Sequence, residues 1–209
     1  MKKQLMINGV PFEYEAVNLS AIGAPAMSFE QARGILMKTK QLLDKQGITF
    51  WLHYGTLLGA IREHSFIAHD YDVDIMTEQH DALLAAIPAL NEAGLRLIRV
   101  DEGLLYSFAY NGVYIDVYIK SKAPFPLNLW YYKLNGNLVP KYLMTGLQQI
   151  EFLGEKFNIP ANPEKLLKYY YGRTWRIPIK GKEGTYTIWP HRLYRKLIIN
   201  PRKRKLQQQ

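Results

Sequence analysis

Apolar positions recur at Phe29, Ala32, Ile35, Leu36, Leu42 and Leu43, the three-and-four spacing of an amphipathic helix running from Phe29 to Gln46. Ser28 is placed to cap its start and Gly47 to end it. The pattern then shortens. Ile48 to His53 is rich in β-branched and aromatic side chains and predicts a strand. Gly55 turns the chain into a short helix, Thr56 to Arg62, and a loop follows through His64, Ser65 and Ala68. Asp72 to Met76 reads as a strand with carboxylates on one face and Val73 and Ile75 on the other. Glu78 to Glu92 has helical spacing, with Pro88 expected to kink or interrupt it. Leu95 to Val100 and Leu105 to Tyr110 are further strands, and Asn111-Gly112 predicts a tight hairpin turn. The returning strand alternates: Val113, Ile115, Val117 and Ile119 share one face, and Tyr114, Asp116 and Tyr118 the other.

After Lys120 the regularity fades. Pro124, Pro126, Asn135-Gly136 and Pro140 mark loops, weaker helical and strand signals run to Ile159, and Pro163 to Tyr171 resembles a helix with proline in its first turn. Beyond Gly172 the chain is aromatic, basic and irregular. The mixture of helices and strands implies an α/β (α+β) fold. Its division is expected at about residue 122, with a core over 1–122 and a C-terminal subdomain over 123–209.

Charge sharpens the division. The 209 residues carry a formal charge of +9. From Glu151 onward there are 14 basic and 4 acidic residues, whereas the first 150 carry 13 basic and 14 acidic. The positive field therefore belongs to the C-terminal part and favours anionic partners. The tail over 200–209, with Arg202, Lys203, Arg204 and Lys205, reads either as a solvated terminus or as a contact for an anionic membrane surface. Absence of cysteine excludes disulfides, cysteine-based zinc sites and a cysteine nucleophile. The basic N-terminus has an apolar run too short for a signal peptide, and no segment has the length of a membrane span, so a cytoplasmic protein is expected, peripheral at the inner membrane face on the second reading of the tail.

The candidate chemistry lies in three carboxylates. The two-residue step in Asp72-Val73-Asp74 sets both acids on one side of a strand, and Asp116 lies alone on a later one. Three carboxylates in one cleft repel each other unless cations neutralise them. Oxygen ligands of this kind suit Mg²⁺ or Mn²⁺, and two such ions roughly 3.5–4 Å apart serve in-line phosphoryl displacement. The turn Gly55-Thr56-Leu57-Leu58-Gly59 offers backbone amides and a hydroxyl to a phosphate, and Arg62 a bidentate fork.

The run Tyr54-Gly55-Thr56-Leu57-Leu58-Gly59-Ala60-Ile61-Arg62, followed by Phe66-Ile67 and by Asp70-Tyr71-Asp72-Val73-Asp74-Ile75, closely resembles the signature of the LicD/fukutin family. The later Tyr171-Gly172-Arg173-Thr174-Trp175-Arg176-Ile177-Pro178 is similar to that family's C-terminal motif. The resemblance implies a nucleotidyltransferase-like mixed sheet flanked by helices, with a small aromatic-rich C-terminal extension. It implies transfer of phosphocholine or a polyol phosphate such as ribitol phosphate from a CDP-activated donor to a hydroxyl of a glycan or glycolipid acceptor, with release of CMP. Such chemistry belongs to polysaccharide modification, of capsule or lipopolysaccharide for example. Asp72, Asp74 and Asp116 would be metal ligands, and Gly55, Thr56, Gly59 and Arg62 would contact the donor phosphates. Asp116 or Asp70 would accept the proton of the attacking hydroxyl, Asp116 being preferred.

Two positions depart from the pattern. His69 stands where the family commonly has Trp, and Tyr71 where it has Asp. Of the later aromatics, Tyr169, Tyr170, Tyr171, Trp175, Tyr186 and Trp189 either pack a subdomain or stack on sugar or a quaternary ammonium. Rival readings are a nucleotidyltransferase moving NMP to a protein, RNA or small molecule, and a basic nucleic-acid-binding module. The acidic cleft argues against nucleic acid at that site.

Overall fold

A computed structural model of the chain describes residues 1–19, 26–135 and 137–178. The tail over 200–209, Tyr186 and Trp189 lie outside the described residues. The centre is a five-stranded mixed sheet of order β3-β4-β7-β6-β5, made of β3 (Trp51–Leu52), β4 (Asp72–Thr77), β5 (Arg96–Asp101), β6 (Leu105–Tyr110) and β7 (Val113–Ile119). Strands β4 and β7 run parallel, and the other pairs are antiparallel. Val73 and Ile75 stand opposite Ile115 and Val117, and all four are buried, so one face of the sheet is continuous core. Helix α1 (Phe29–Lys45) packs on β4 and β7 and contributes Ile35, Leu36 and Leu43 to that core. Ser28 and Gln31 close a reciprocal capping box at its start, which satisfies two otherwise orphaned amides.

Helix α2 (Tyr54–Arg62) follows β3 and packs on β4, and α3 (His80–Glu92) leads into β5. Proline 88 does not end α3. The expected strand over 48–53 contracts to Trp51–Leu52, because β3 is an edge strand paired only to β4 and His53 already starts the entry into α2. An N-terminal hairpin, β1 (Lys2–Ile7) with β2 (Val10–Glu15), adds Leu5, Ile7 and Tyr14 to the core. Its turn is Asn8-Gly9, both in the left-handed region, the same signal as Asn111-Gly112.

The later part is a meander of β8 (Ser121–Lys122), β9 (Tyr131–Leu134) and β10 (Asn137–Pro140). The short helix α4 (Lys141–Met144), the hairpin β11 (Leu147–Phe152) with β12 (Glu155–Pro160), and α5 (Pro163–Tyr171) follow. Most buried apolar residues from Leu5 to Trp175 form one contiguous cluster, and Ala123 and Leu138 form a small second one. Tyr170 on α5 reaches His53 at 3.3 Å, and Asn158 on β12 donates to the carbonyl of Phe50. Among the described residues no helix is long and apolar enough to cross a membrane.

Candidate metal centre

The parallel β4–β7 pairing aligns Asp74 with Asp116 and Asp72 with Tyr114. Directly paired residues share a face. The three carboxylates thus meet on the sheet face opposite the core, each offering an oxygen within 4.8 Å of the others. Asp74 and Asp116 are only 6 % and 4 % exposed, and Asp72 is half-buried. The face expected to hold a lone carboxylate between tyrosines is therefore the floor of a site, not a solvated surface.

Each acid has a fixed partner. Ser107 Oγ donates to Asp116 Oδ1 at 2.5 Å, and the Tyr118 hydroxyl lies 3.5 Å from its other oxygen. The Tyr114 hydroxyl bonds Asp72. The amide of Gly55 donates to Asp74 Oδ2 at 2.9 Å, and the Asp74 amide donates to Thr56 Oγ1 at 2.8 Å. Helix α2 begins without a side-chain cap, so its electropositive end is turned on Asp74.

Burial is the main cause of the proton affinity of this cluster. It holds Asp74 well above the ordinary carboxylate range, with Asp72, Asp116 and Asp70 adding repulsion. It pushes Asp116 up to about 7 against the lowering bond from Ser107, and raises Asp72 despite its bond from Tyr114. Asp70 is pushed up to about 6 by burial and then by Asp72. Crowded, buried oxygens of this kind are what a hard divalent cation neutralises.

The phosphate-binding expectations divide. Gly55 is at the site: a Cβ there would lie 2.7 Å from Asp70 Oδ2 and 3.2 Å from Asp74 Oδ2. It also borders a cavity of about 890 Å³ shared with Arg62, Phe66, Asp70, Tyr171 and Trp175. Thr56 is 1 % exposed, and its oxygen is taken by the Asp74 amide, so it braces β4. Gly59 faces the backbone of residues 65–67, where a Cβ would come within 2.5 Å of the Ser65 carbonyl oxygen; close packing requires this glycine. Arg62 lines the cavity, but its guanidinium donates to the Trp175 carbonyl at 3.0 Å and pairs with Glu63 at 2.7 Å.

Ser107, Tyr114, Tyr118 and His53 were not singled out by sequence reasoning. Ser107 was countable, because a two-residue turn at Asn111-Gly112 pairs Tyr110 with Val113 and hence Ser107 with Asp116. His53 is wholly buried, and burial lowers it to about 3, so it stays neutral among Tyr54, Tyr118 and Tyr170.

Comparison with known proteins bears on the family of the chain. A family model described as LicD/FKTN/FKRP, nucleotidyltransferase domain, matches residues 47–162, which span β3, β4 and β7 and more than half of the chain. Ribitol-5-phosphate transferase FKTN of Mus musculus is 31% identical over 172 residues, covering 74% of this chain and 35% of that protein. Ribitol 5-phosphate transferase FKRP of Homo sapiens is 25% identical over 145 residues, covering 63% of this chain and 29% of that protein. The chain thus spans about a third of the length of the curated relatives it matches. The antibiotic-resistance factor ANT(2'')-Ia, a solved structure, is 16% identical with a TM-score of 0.48, covering 86% of this chain and 90% of that one. By the family match and the motif that runs through α2 and β4, this chain belongs to the LicD/FKTN/FKRP family, whose nucleotidyltransferase domain it carries.

Proposed function

We propose that the chain transfers a phospho-alcohol, phosphocholine or a polyol phosphate such as ribitol phosphate, from a CDP-activated donor to a glycan hydroxyl. Convergence of Asp72, Asp74 and Asp116 carries this reading, since their oxygens meet within 4.8 Å on one buried face. These residues would hold Mg²⁺ or Mn²⁺, which when bound supplies charge neutralisation for a phosphoryl group. The donor set fits: three carboxylates, two of them almost fully buried, with no competing cation in hydrogen-bond contact with Asp74 or Asp116 among the described residues.

The remaining groups position. Ser107 and Tyr118 orient Asp116, Tyr114 orients Asp72, and the Gly55 amide orients Asp74. The acceptor hydroxyl occupies the cavity bordered by Gly55 and Asp70. Its oxygen attacks the alcohol-bearing phosphorus, the P–O bond to the CMP phosphate breaks, and CMP leaves with the electron pair. Asp70 takes the hydroxyl proton. This assignment moves the base from Asp116 to Asp70, because Asp116 is nearly inaccessible and both its oxygens have partners, whereas Asp70 lines the cavity. Residues 1–122 form the catalytic part and 123–178 one wall of the cavity, through Tyr171 and Trp175.

The test is a product assay with Mg²⁺ and CDP-ribitol or CDP-choline labelled in either the alcohol or the base. Label from the alcohol on the acceptor, with CMP released, supports the reading. Label from the base on the acceptor replaces it with nucleotidyl transfer. Asp72→Asn and Asp74→Asn are expected to lose at least about 100-fold in turnover, the scale of removing a preorganised electrostatic group.

A further inference from the structure

Across the central sheet, residues facing the carboxylates lie in one row: Asp74 on β4, Asp116 on β7, Ser107 on β6 and Arg99 on β5. Arg99 owes its place there to an irregularity. Strand β5 pairs Leu97 with Phe108 and then Arg99 with Ser107, so Ile98 is the extra residue of a bulge. With regular pairing Ile98 would stand opposite Ser107, and Arg99 would point to the other face. A bulge that re-aims a side chain beside a site is a recurrent use of this irregularity. Arg99 interacts electrostatically with both Asp72 and Asp116, its side chain is 41% exposed, and its pairing at 2.5 Å is to the half-exposed Asp101 on the same strand. Arg62 differs: its side chain is 11% exposed and held by the Trp175 carbonyl and Glu63.

We infer that Arg99 binds the diphosphate of the nucleotide donor, reaching it from the β5 edge across the carboxylate cluster from Gly55. The inference rests on the proposed CDP-dependent reaction and adds a residue to it. Once a cation offsets the carboxylates, a diphosphate above them needs further positive charge, and a guanidinium fork matches two phosphate oxygens. Arg99 is in the row, solvent-accessible, and paired only in the way surface ion pairs exchange cheaply.

The experiment titrates the full chain with CDP in Mg²⁺, with cytidine as the phosphate-free control. Mg²⁺ binding is followed separately by thermal shift. Arg99→Gln is expected to weaken CDP about tenfold or more and Arg99→Lys to restore part of the loss. Cytidine affinity stays unchanged, and Mg²⁺ binding is equal to wild type or tighter, since a cation near the carboxylates has gone. CDP affinity of Arg99→Gln within twofold of wild type overturns the assignment, as does a parallel loss of CDP and Mg²⁺ binding in both variants, which marks a structural role. A wild-type chain that binds Mg²⁺ but not CDP overturns the CDP-donor reading and this inference with it.

Discussion

Asp116 and His53 are both buried beside Tyr118, yet acid acts on them in opposite directions. The folded Asp116 holds its proton up to about 7 against an ordinary value of 3.8, so its contribution to stability is present in acid and is lost as pH rises toward 7. Asp70, pushed up to about 6, behaves alike. His53, lowered to about 3 from 6.5, contributes stability above pH 6.5 that is lost as pH falls toward 3. Without metal the carboxylates therefore destabilise the fold most near neutrality, and a bound cation reverses this. Protons and cation compete for the same oxygens. The expected outcome is a rise in melting temperature on adding Mg²⁺ that is large at pH 7.5 and shrinks as pH is lowered through 6. A shift independent of pH over that range contradicts metal binding at these acids. At this scale the sequence was most informative, for the D-x-D pair lies in the motif and Asp116 stands alone on an alternating strand. Ser107 and Arg99 join the site through strand pairing, and Tyr114, already on the Asp116 face by alternation, meets Asp72 through the β4–β7 register.

Helix α2 and the segment after it show what an element must satisfy beyond periodicity. Gly55 and Gly59 look alike in the sequence, four residues apart on one short helix. In the fold Gly55 keeps space for Asp70 and Asp74, whereas Gly59 lets the backbone of 65–67 approach the helix. Gly59→Ala is accordingly expected to cost about 1–3 kcal/mol of stability, as overpacking does, while leaving Mg²⁺ affinity within about threefold. Chemical denaturation and a Mg²⁺ titration of the variant check this, and an unchanged stability argues against the close contact. Regular elements were legible where the period was long: α1 and α5 run as the spacing indicates, and β7 keeps its alternation. The bulge at Ile98 was not legible, because the register of β5 depends on its pairing with β6 and not on its own sequence. Strand β3 shortened for a related reason, since pairing at an edge, not propensity, decides its ends.

For the whole molecule, the sequence suggested a C-terminal subdomain over 123–209 packed on the core, while composition alone was silent about which residues make that contact. Contacts through Tyr170, Asn158 and Trp175 join the later part to β3 and α2, and these pairings span more than a hundred positions of sequence. Such long-range packing brings a cavity wall to the carboxylates, and no local pattern encodes it. The claim on which everything else depends is that Asp72, Asp74 and Asp116 cage one divalent-cation centre. Its most direct measurement is Mn²⁺ binding followed by electron paramagnetic resonance on the folded wild-type chain and on the Asp74→Asn and Asp116→Asn variants. The account predicts stoichiometric binding by wild type and at least about a tenfold loss of affinity in each variant. Wild-type affinity retained in either variant would contradict it.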